Sequence, residues 1–135
     1  ERFPGSAVLV EEMAEFNGPE FIIGALQDPT FGPAIMVGAG GVLTELYEDV
    51  AFRLAPLRKT EALRMLAELR AAPLFSGYRG AMLDAAGLAN LLVRVSELAL
   101  ALGNHLGQLD LNPVVFSDGK WMALDAVLVP AGAAE

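Results

Sequence analysis

The turn Ser117-Asp118-Gly119, set between the β-rich runs Gln108 to Phe116 and Lys120 to Val129, constrains this chain more than any other feature. Asp-Gly between two such runs is a strong hairpin signal. A two-residue loop at Asp118-Gly119 and a four-residue loop at Ser117 to Lys120 give the same register, which sets Asn112 directly across from Asp125. Strand side chains alternate faces, so Asp110 shares the face of Asn112. Leu109 and Leu111 point the other way, and Met122, Leu124, Ala126 and Leu128 on the returning strand are expected to join them as core.

The first third of the chain also reads as hairpins. Val8 to Met13, Glu20 to Gln27 and Ala34 to Val37 are the predicted strands, separated by Asn17-Gly18-Pro19, Asp28-Pro29 and Gly32-Pro33. After Pro56 the period changes. Ala62, Met65, Leu66 and Leu69 recur at helical spacing opposite Glu61, Arg64 and Glu68, which predicts a helix from about Thr60 to Ala71. A longer helix follows, capped by Asp84, striped by Leu88, Leu91, Leu92, Val95, Leu98, Ala99 and Leu102, and ended by Gly103-Asn104. Strands in hairpins around two helices predict an α+β fold, a mostly antiparallel sheet with both helices on one face. At 135 residues a single domain, 1–135, is expected.

Charge and composition exclude several function classes. A net charge of -8 repels nucleic acid, and the chain has no basic run longer than Arg58-Lys59. The apolar helix pattern from Leu88 to Leu102 is interrupted by Arg94 and Glu97, so no membrane span is expected. Residues Glu1 to Ser6 carry no signal-peptide pattern, and the absence of cysteine fits a cytoplasmic setting. It also rules out disulfides, thiolate metal sites and cysteine nucleophiles. The hydrophobic fraction of 54% is high for a free-standing domain. A partner surface is expected, either a second copy in a homo-oligomer or further chain beyond these residues.

Two carboxylates and an amide oxygen on one sheet ledge form a hard-oxygen set of the kind that takes Mg²⁺ together with substrate phosphates. Asp110, Asn112 and Asp125 are thus candidate metal ligands. Spacing alone leaves an alternative of equal weight, in which both acids lie free on the surface or pair with Arg53 or Arg79. Gly38-Ala39-Gly40-Gly41 follows a strand and either cradles phosphate or makes a plain turn; it has neither the Walker A nor the Rossmann spacing. His105 beside a helix C-terminus reads as a dipole contact. Glu11, Glu12 and Glu20 are compatible with surface strand positions.

Taken together, the segments Val8-Leu9-Val10-Glu11-Glu12-Met13, Asp28-Pro29-Thr30-Phe31-Gly32-Pro33, Gly38-Ala39-Gly40-Gly41, Phe52-Arg53-Leu54-Ala55-Pro56-Leu57, Gly77-Tyr78-Arg79-Gly80, Leu109-Asp110-Leu111-Asn112-Pro113 and Ala123-Leu124-Asp125-Ala126 resemble the ATP-grasp domain of ADP-forming acyl-CoA synthetases. That family includes acetate-CoA ligase and is related to the succinyl-CoA synthetase β chain. The resemblance covers almost the whole chain and implies the C-terminal, nucleotide-binding lobe of an ATP-grasp fold. It implies ATP and Mg²⁺ as cofactors, with Asp110, Asn112 and Asp125 around the metal and phosphates and Asp110 as the catalytic residue. It further implies that Glu12 and Met13 form the hinge against adenine, that Glu20 reaches the ribose, and that Gly38, Gly40, Gly41 and Glu45 line the phosphate end. Arg53 and Arg79 are expected to pin loops.

The resemblance starts just before the hinge strand, so the first ATP-grasp lobe and the CoA-binding domains are expected as partners outside these residues. These enzymes relay phosphate through histidine, and His105 matches neither relay position. The expected function is a lobe of a carboxylate-CoA ligase, inactive alone. The alternative is a non-catalytic nucleotide-binding or regulatory module on the same fold.

Overall fold

The computed structural model describes residues 10–41, 48–80 and 82–132. Three strands come first, β1 (Phe21–Asp28), β2 (Gly32–Ala39) and β3 (Val50–Leu54). Two helices follow, α1 (Lys59–Glu68) and α2 (Ala85–Leu102), joined through short 3-10 turns at Ala72–Phe75 and Tyr78–Gly80. The chain closes with β4 (Leu106–Ser117), β5 (Lys120–Ala123) and β6 (Ala126–Pro130). The strands form one six-stranded antiparallel sheet in the order β3-β2-β1-β4-β5, with β6 also paired to β4. The expected α+β class and mostly antiparallel sheet are observed.

Both helices cover one face of the sheet. Phe21, Ile23 and Ala25 of β1 and Ile35 and Val37 of β2 are buried against Ala62, Met65 and Leu66 of α1 and Leu88, Leu92, Val95 and Ala99 of α2. Asp84 caps α2 as expected, its Oδ1 accepting from the Gly87 N–H at 2.9 Å. By length and composition α2 meets the measure of a membrane span. A core helix meets it too, and here one stripe of α2 is sealed against the sheet while Arg94 and Glu97 stay exposed. The buried Ser96 hydroxyl of α2 accepts the Leu57 N–H at 2.8 Å and ties the entry of α1 to α2.

α1 ends at Glu68, short of the predicted Ala71, and the reason lies outside the helix. The buried Asp49 carboxylate accepts the N–H groups of Arg70 and Ala71 at 2.6 and 2.9 Å. Those donors are therefore unavailable to carbonyls one turn back, and Leu69 turns extended.

The structure departs from the sequence expectation in four places. Residues 10–13 form no strand, and the rest of the run predicted from Val8 lies outside the described residues. β3 was not foreseen. The returning strand is not continuous from Lys120 to Val129 but breaks between β5 and β6. The fourth departure concerns faces: Trp121 packs on Phe21 at 5.5 Å between ring centroids and donates from Nε1 to the Asp84 carbonyl at 2.7 Å, so Trp121 lies on the helix side. Met122 next to it points to the open side, whereas Ala126 pairs with the inward Leu111. The expected stripe of Met122, Leu124, Ala126 and Leu128 is thus split by the break.

Candidate functional site

The face of the sheet away from the helices is open, and pairing registers lay it out in rows. Leu54, Ala34, Leu26, Gln108 and Val129 form one row across β3, β2, β1, β4 and β6. Phe52, Met36, Gly24, Asp110 and Val127 form the next. Val50, Gly38 and Ile22 begin a third, which continues to Asn112 and Asp125. One column of this grid, Gln108, Asp110 and Asn112 on β4, is polar. The columns from β1 to β3 are apolar, and between them and the polar column runs a groove of about 470 Å³.

The hairpin register is as expected. Asp118 and Gly119 both have positive φ, 50° and 75°, the geometry of a two-residue hairpin turn, and Ser117 pairs with Lys120. From there to the Gln108–Val129 pair each step keeps the register in which Asn112 opposes Asp125. The Asn112 N–H donates to the Asp125 carbonyl at 3.2 Å, and the Leu124 N–H to the Pro113 carbonyl at 2.9 Å. On the other side of β4 the pairing with β1 slips between Phe21–Val114 and Ile23–Leu111, so Ile22 meets both Asn112 and Pro113. Such a bulge re-aims side chains. Asp110 and Asn112 both line the groove, and Leu109 and Leu111 turn to the core, as expected. The Asp125 Oδ1 accepts from the Ala126 N–H at 2.7 Å.

Neither acid takes the alternative partners. Arg53 pairs with Glu68 and donates to the Phe52 carbonyl, and the Arg79 guanidinium stacks 5.9 Å from the Tyr78 ring centre. Arg53 thus ties β3 to α1 instead of pinning a loop, and Arg79 stays within its own turn. Among the described residues no three His, Cys, Asp or Glu side chains converge as a metal cluster. A set of two acids and one amide oxygen falls outside that pattern, and it suits a Mg²⁺ ion whose remaining ligands come from phosphates and water.

The glycines gather at the same end of the sheet as Asn112. The Gly40 N–H donates to the Glu20 carbonyl at 2.6 Å, and a Cβ on Gly40 would meet Glu20 backbone atoms at 2.9 and 3.0 Å. Only glycine fits there. Gly41 has φ +85° and lies beside the Glu20 carboxylate. Gly38 is equally confined, with Val50 Cγ1 at 2.8 Å from its missing Cβ. Glu12 and Met13 are exposed in a segment without regular secondary structure, which is tied to β4 where the Ser117 hydroxyl donates to the Glu15 carbonyl at 2.7 Å. Glu45 lies outside the described residues. The groove's apolar wall of Met36 and Phe52 was missed; its sequence signal is the alternation Val50, Phe52, Leu54.

The chain as a whole is similar to known proteins. A family model described as ATP-grasp domain matches residues 3–129. The β subunit of acetate-CoA ligase (ADP-forming) I from Pyrococcus furiosus is 41% identical over 113 residues, covering 83% of this chain and 48% of that subunit. Acetate-CoA ligase (ADP-forming) I from Archaeoglobus fulgidus is 46% identical over 123 residues, 90% of this chain and 18% of that protein. Among solved structures, acetyl-coenzyme A synthetase 1 of Candidatus Korarchaeum cryptofilum superposes with a TM-score of 0.80 at 37% identity, covering 86% of this chain and 55% of that one. That structure holds coenzyme A and Mg-AMPPCP, and its phosphohistidine segment points towards the nucleotide-binding site. This chain therefore spans about half of the matched subunit, 48% of its length. With a family model matching from residue 3 to 129 and relatives of the same fold at this identity, the chain belongs to the ATP-grasp domain family.

Proposed function

We propose that this chain is the ATP- and Mg²⁺-binding lobe of an ADP-forming acyl-CoA synthetase, which interconverts a carboxylate, CoA and ATP with an acyl-CoA, ADP and phosphate. The observation that carries the proposal is the polar column Asp110 and Asn112, bulged at Asn112-Pro113 and opposed by Asp125, on the rim of an otherwise apolar groove. Asp110, Asn112 and Asp125 would hold Mg²⁺ and through it the phosphates; when bound, the ion offsets negative charge that builds on the transferring phosphoryl group.

The chain's own residues bind and orient. Gly38, Gly40 and Gly41, together with Glu45 from outside the described residues, would line the phosphate end. Glu12 and Met13 flank the base and Glu20 the ribose. The tie between Ser117 and Glu15 supports a base end past Asn112 towards the hairpin tip, with the phosphates over Asn112 and Asp110. A histidine on a segment outside these 135 residues accepts the γ-phosphoryl group, and a first ATP-grasp lobe and a CoA-binding domain, or a partner subunit carrying them, complete the enzyme. Lack of cysteine agrees with a cytoplasmic setting.

The test uses the full-length protein with its partner subunits and γ-labelled ATP. Acid-labile label on the protein in the presence of Mg²⁺, discharged by ADP, is the expected result. Tight Mg-nucleotide binding without label would instead establish a non-catalytic nucleotide-binding module.

A further inference from the structure

The open face of the sheet is covered at one corner. Phe116 turns its ring to Trp121 on the helix side, 5.2 Å between centroids, so Val115 and Ser117 to either side of it face the open side. Both are buried all the same, Val115 fully and Ser117 to 5% exposure, and Val115 stands apart from the core cluster under the helices. The Ser117 hydroxyl donates to the Glu15 carbonyl at 2.7 Å, across 102 positions of sequence, which places the segment carrying Glu12 and Met13 over this corner.

That segment has no ladder to hold it. Residues 10–19 form no helix or strand, and among the described residues none hydrogen-bonds to 10–14. The segment is fastened at Glu15 and again at its end, where the Glu20 carbonyl accepts the Gly40 N–H at 2.6 Å. Ser117 is a firm anchor, because it pairs with Lys120 across the two-residue turn Asp118-Gly119 and its short side chain has little freedom to lose. We propose that Ser117 is a positioning residue for the nucleotide: through the Glu15 carbonyl, its hydroxyl sets where Glu12 and Met13 stand against the base. This rests on the functional reading above, and it adds to it a residue that touches no nucleotide. Without the bond the segment spreads over several positions, and affinity falls with the fraction of time it spends in the binding one.

The experiment takes the full-length protein with its partner subunits, as wild type, Ser117→Ala and Ser117→Thr, and titrates AMPPCP over a Mg²⁺ series. Ser117→Ala should raise the nucleotide Kd roughly fivefold, the scale of one hydrogen bond, at every Mg²⁺ concentration. The factor by which Mg²⁺ tightens binding should stay as in wild type, because the metal ledge at Asp110 is untouched. Ser117→Thr, which keeps the donor, should restore the wild-type Kd. A folded Ser117→Ala protein with wild-type Kd would overturn the proposal, as would a Ser117→Thr protein that binds as weakly as Ser117→Ala. A smaller gain from Mg²⁺ in Ser117→Ala would overturn it too, since the hydroxyl would then act on the metal ledge or on the lobe as a whole. Wild-type protein that binds no Mg-AMPPCP would sink the reading beneath it, and the proposal with it.

Discussion

Asn112 and Asp125 are joined through the backbone, the Asn112 N–H donating to the Asp125 carbonyl at 3.2 Å, at the point where both of their strands lose their regular pleat. On β4 the inward positions are Leu111 and Val114, and on the returning chain they are Ala123 and Ala126. Each pair is three apart where a regular pleat allows two. The paired irregularity frees Asn112 and Asp125 from the ladder's alternation without losing the register that opposes them. A rigid sheet thereby presents polar groups at a defined place.

Asp125→Asn in the full-length protein should weaken Mg-nucleotide binding and slow turnover while leaving the fold intact. The amide keeps the shape and removes the charge that a divalent ion needs. The loss should be roughly 2 to 4 kcal/mol of transition-state stabilisation, the scale of losing an oxyanion donor. Activity measured across a Mg²⁺ series checks it, and an unchanged magnesium dependence would show that Asp125 is not a ligand.

Gly40→Ala should be more damaging than Gly24→Ala. At Gly40 the new methyl meets the Glu20 backbone at 2.9 and 3.0 Å, so the main chain has to move; at Gly24 it meets the mobile end of Met36 at 3.3 Å. About 1 to 3 kcal/mol of destabilisation is expected at Gly40. Nucleotide affinity should fall with it, because Glu20 and the glycine segment shift together. Equal melting temperatures for the two variants would contradict this.

The hairpin register was legible because it depends only on a local turn. Asp118-Gly119 fixes every pairing on to Val129, and Asp110, Asn112 and their opposition to Asp125 follow from counting. The helix stripes were legible for the same reason of local period. β3 was hidden because its exposed side, Val50, Phe52 and Leu54, is the apolar one, whereas Ala51 and Arg53 face the helices. That inverts the usual pattern. The end of α1 and the break after Ala123 were hidden as well, since one is set by Asp49 across the chain and the other by a bulge against β1.

Asp49→Ala should cost stability without touching the site chemistry. Its carboxylate takes two backbone N–H groups, and both would be left without this acceptor. Each such loss is worth about 1 to 3 kcal/mol where water cannot replace it. Asp49→Asn, which keeps one acceptor oxygen, should fall between Ala and wild type. Urea unfolding midpoints at constant slope give the comparison.

The 135-residue chain on its own should show no acyl-CoA synthetase activity, and it should expose the apolar face that a larger assembly uses. Its mean hydropathy is +0.46, and Leu26, Phe52 and Leu54 stand half exposed on the open side of the sheet. Such a patch binds hydrophobic dyes or a second copy of the chain. Purified residues 1–135 should therefore bind an anilinonaphthalene dye or sediment above monomer mass, and Phe52→Ser together with Leu26→Ser should reduce both signals. The same double change leaves the helix side of the sheet untouched, since these positions alternate with the buried Ala25 and Ala51. A monomer that binds no dye would mean that the open face is satisfied within the chain itself. Turnover of ATP, CoA and a short carboxylate by the isolated chain would show that no further lobe is required.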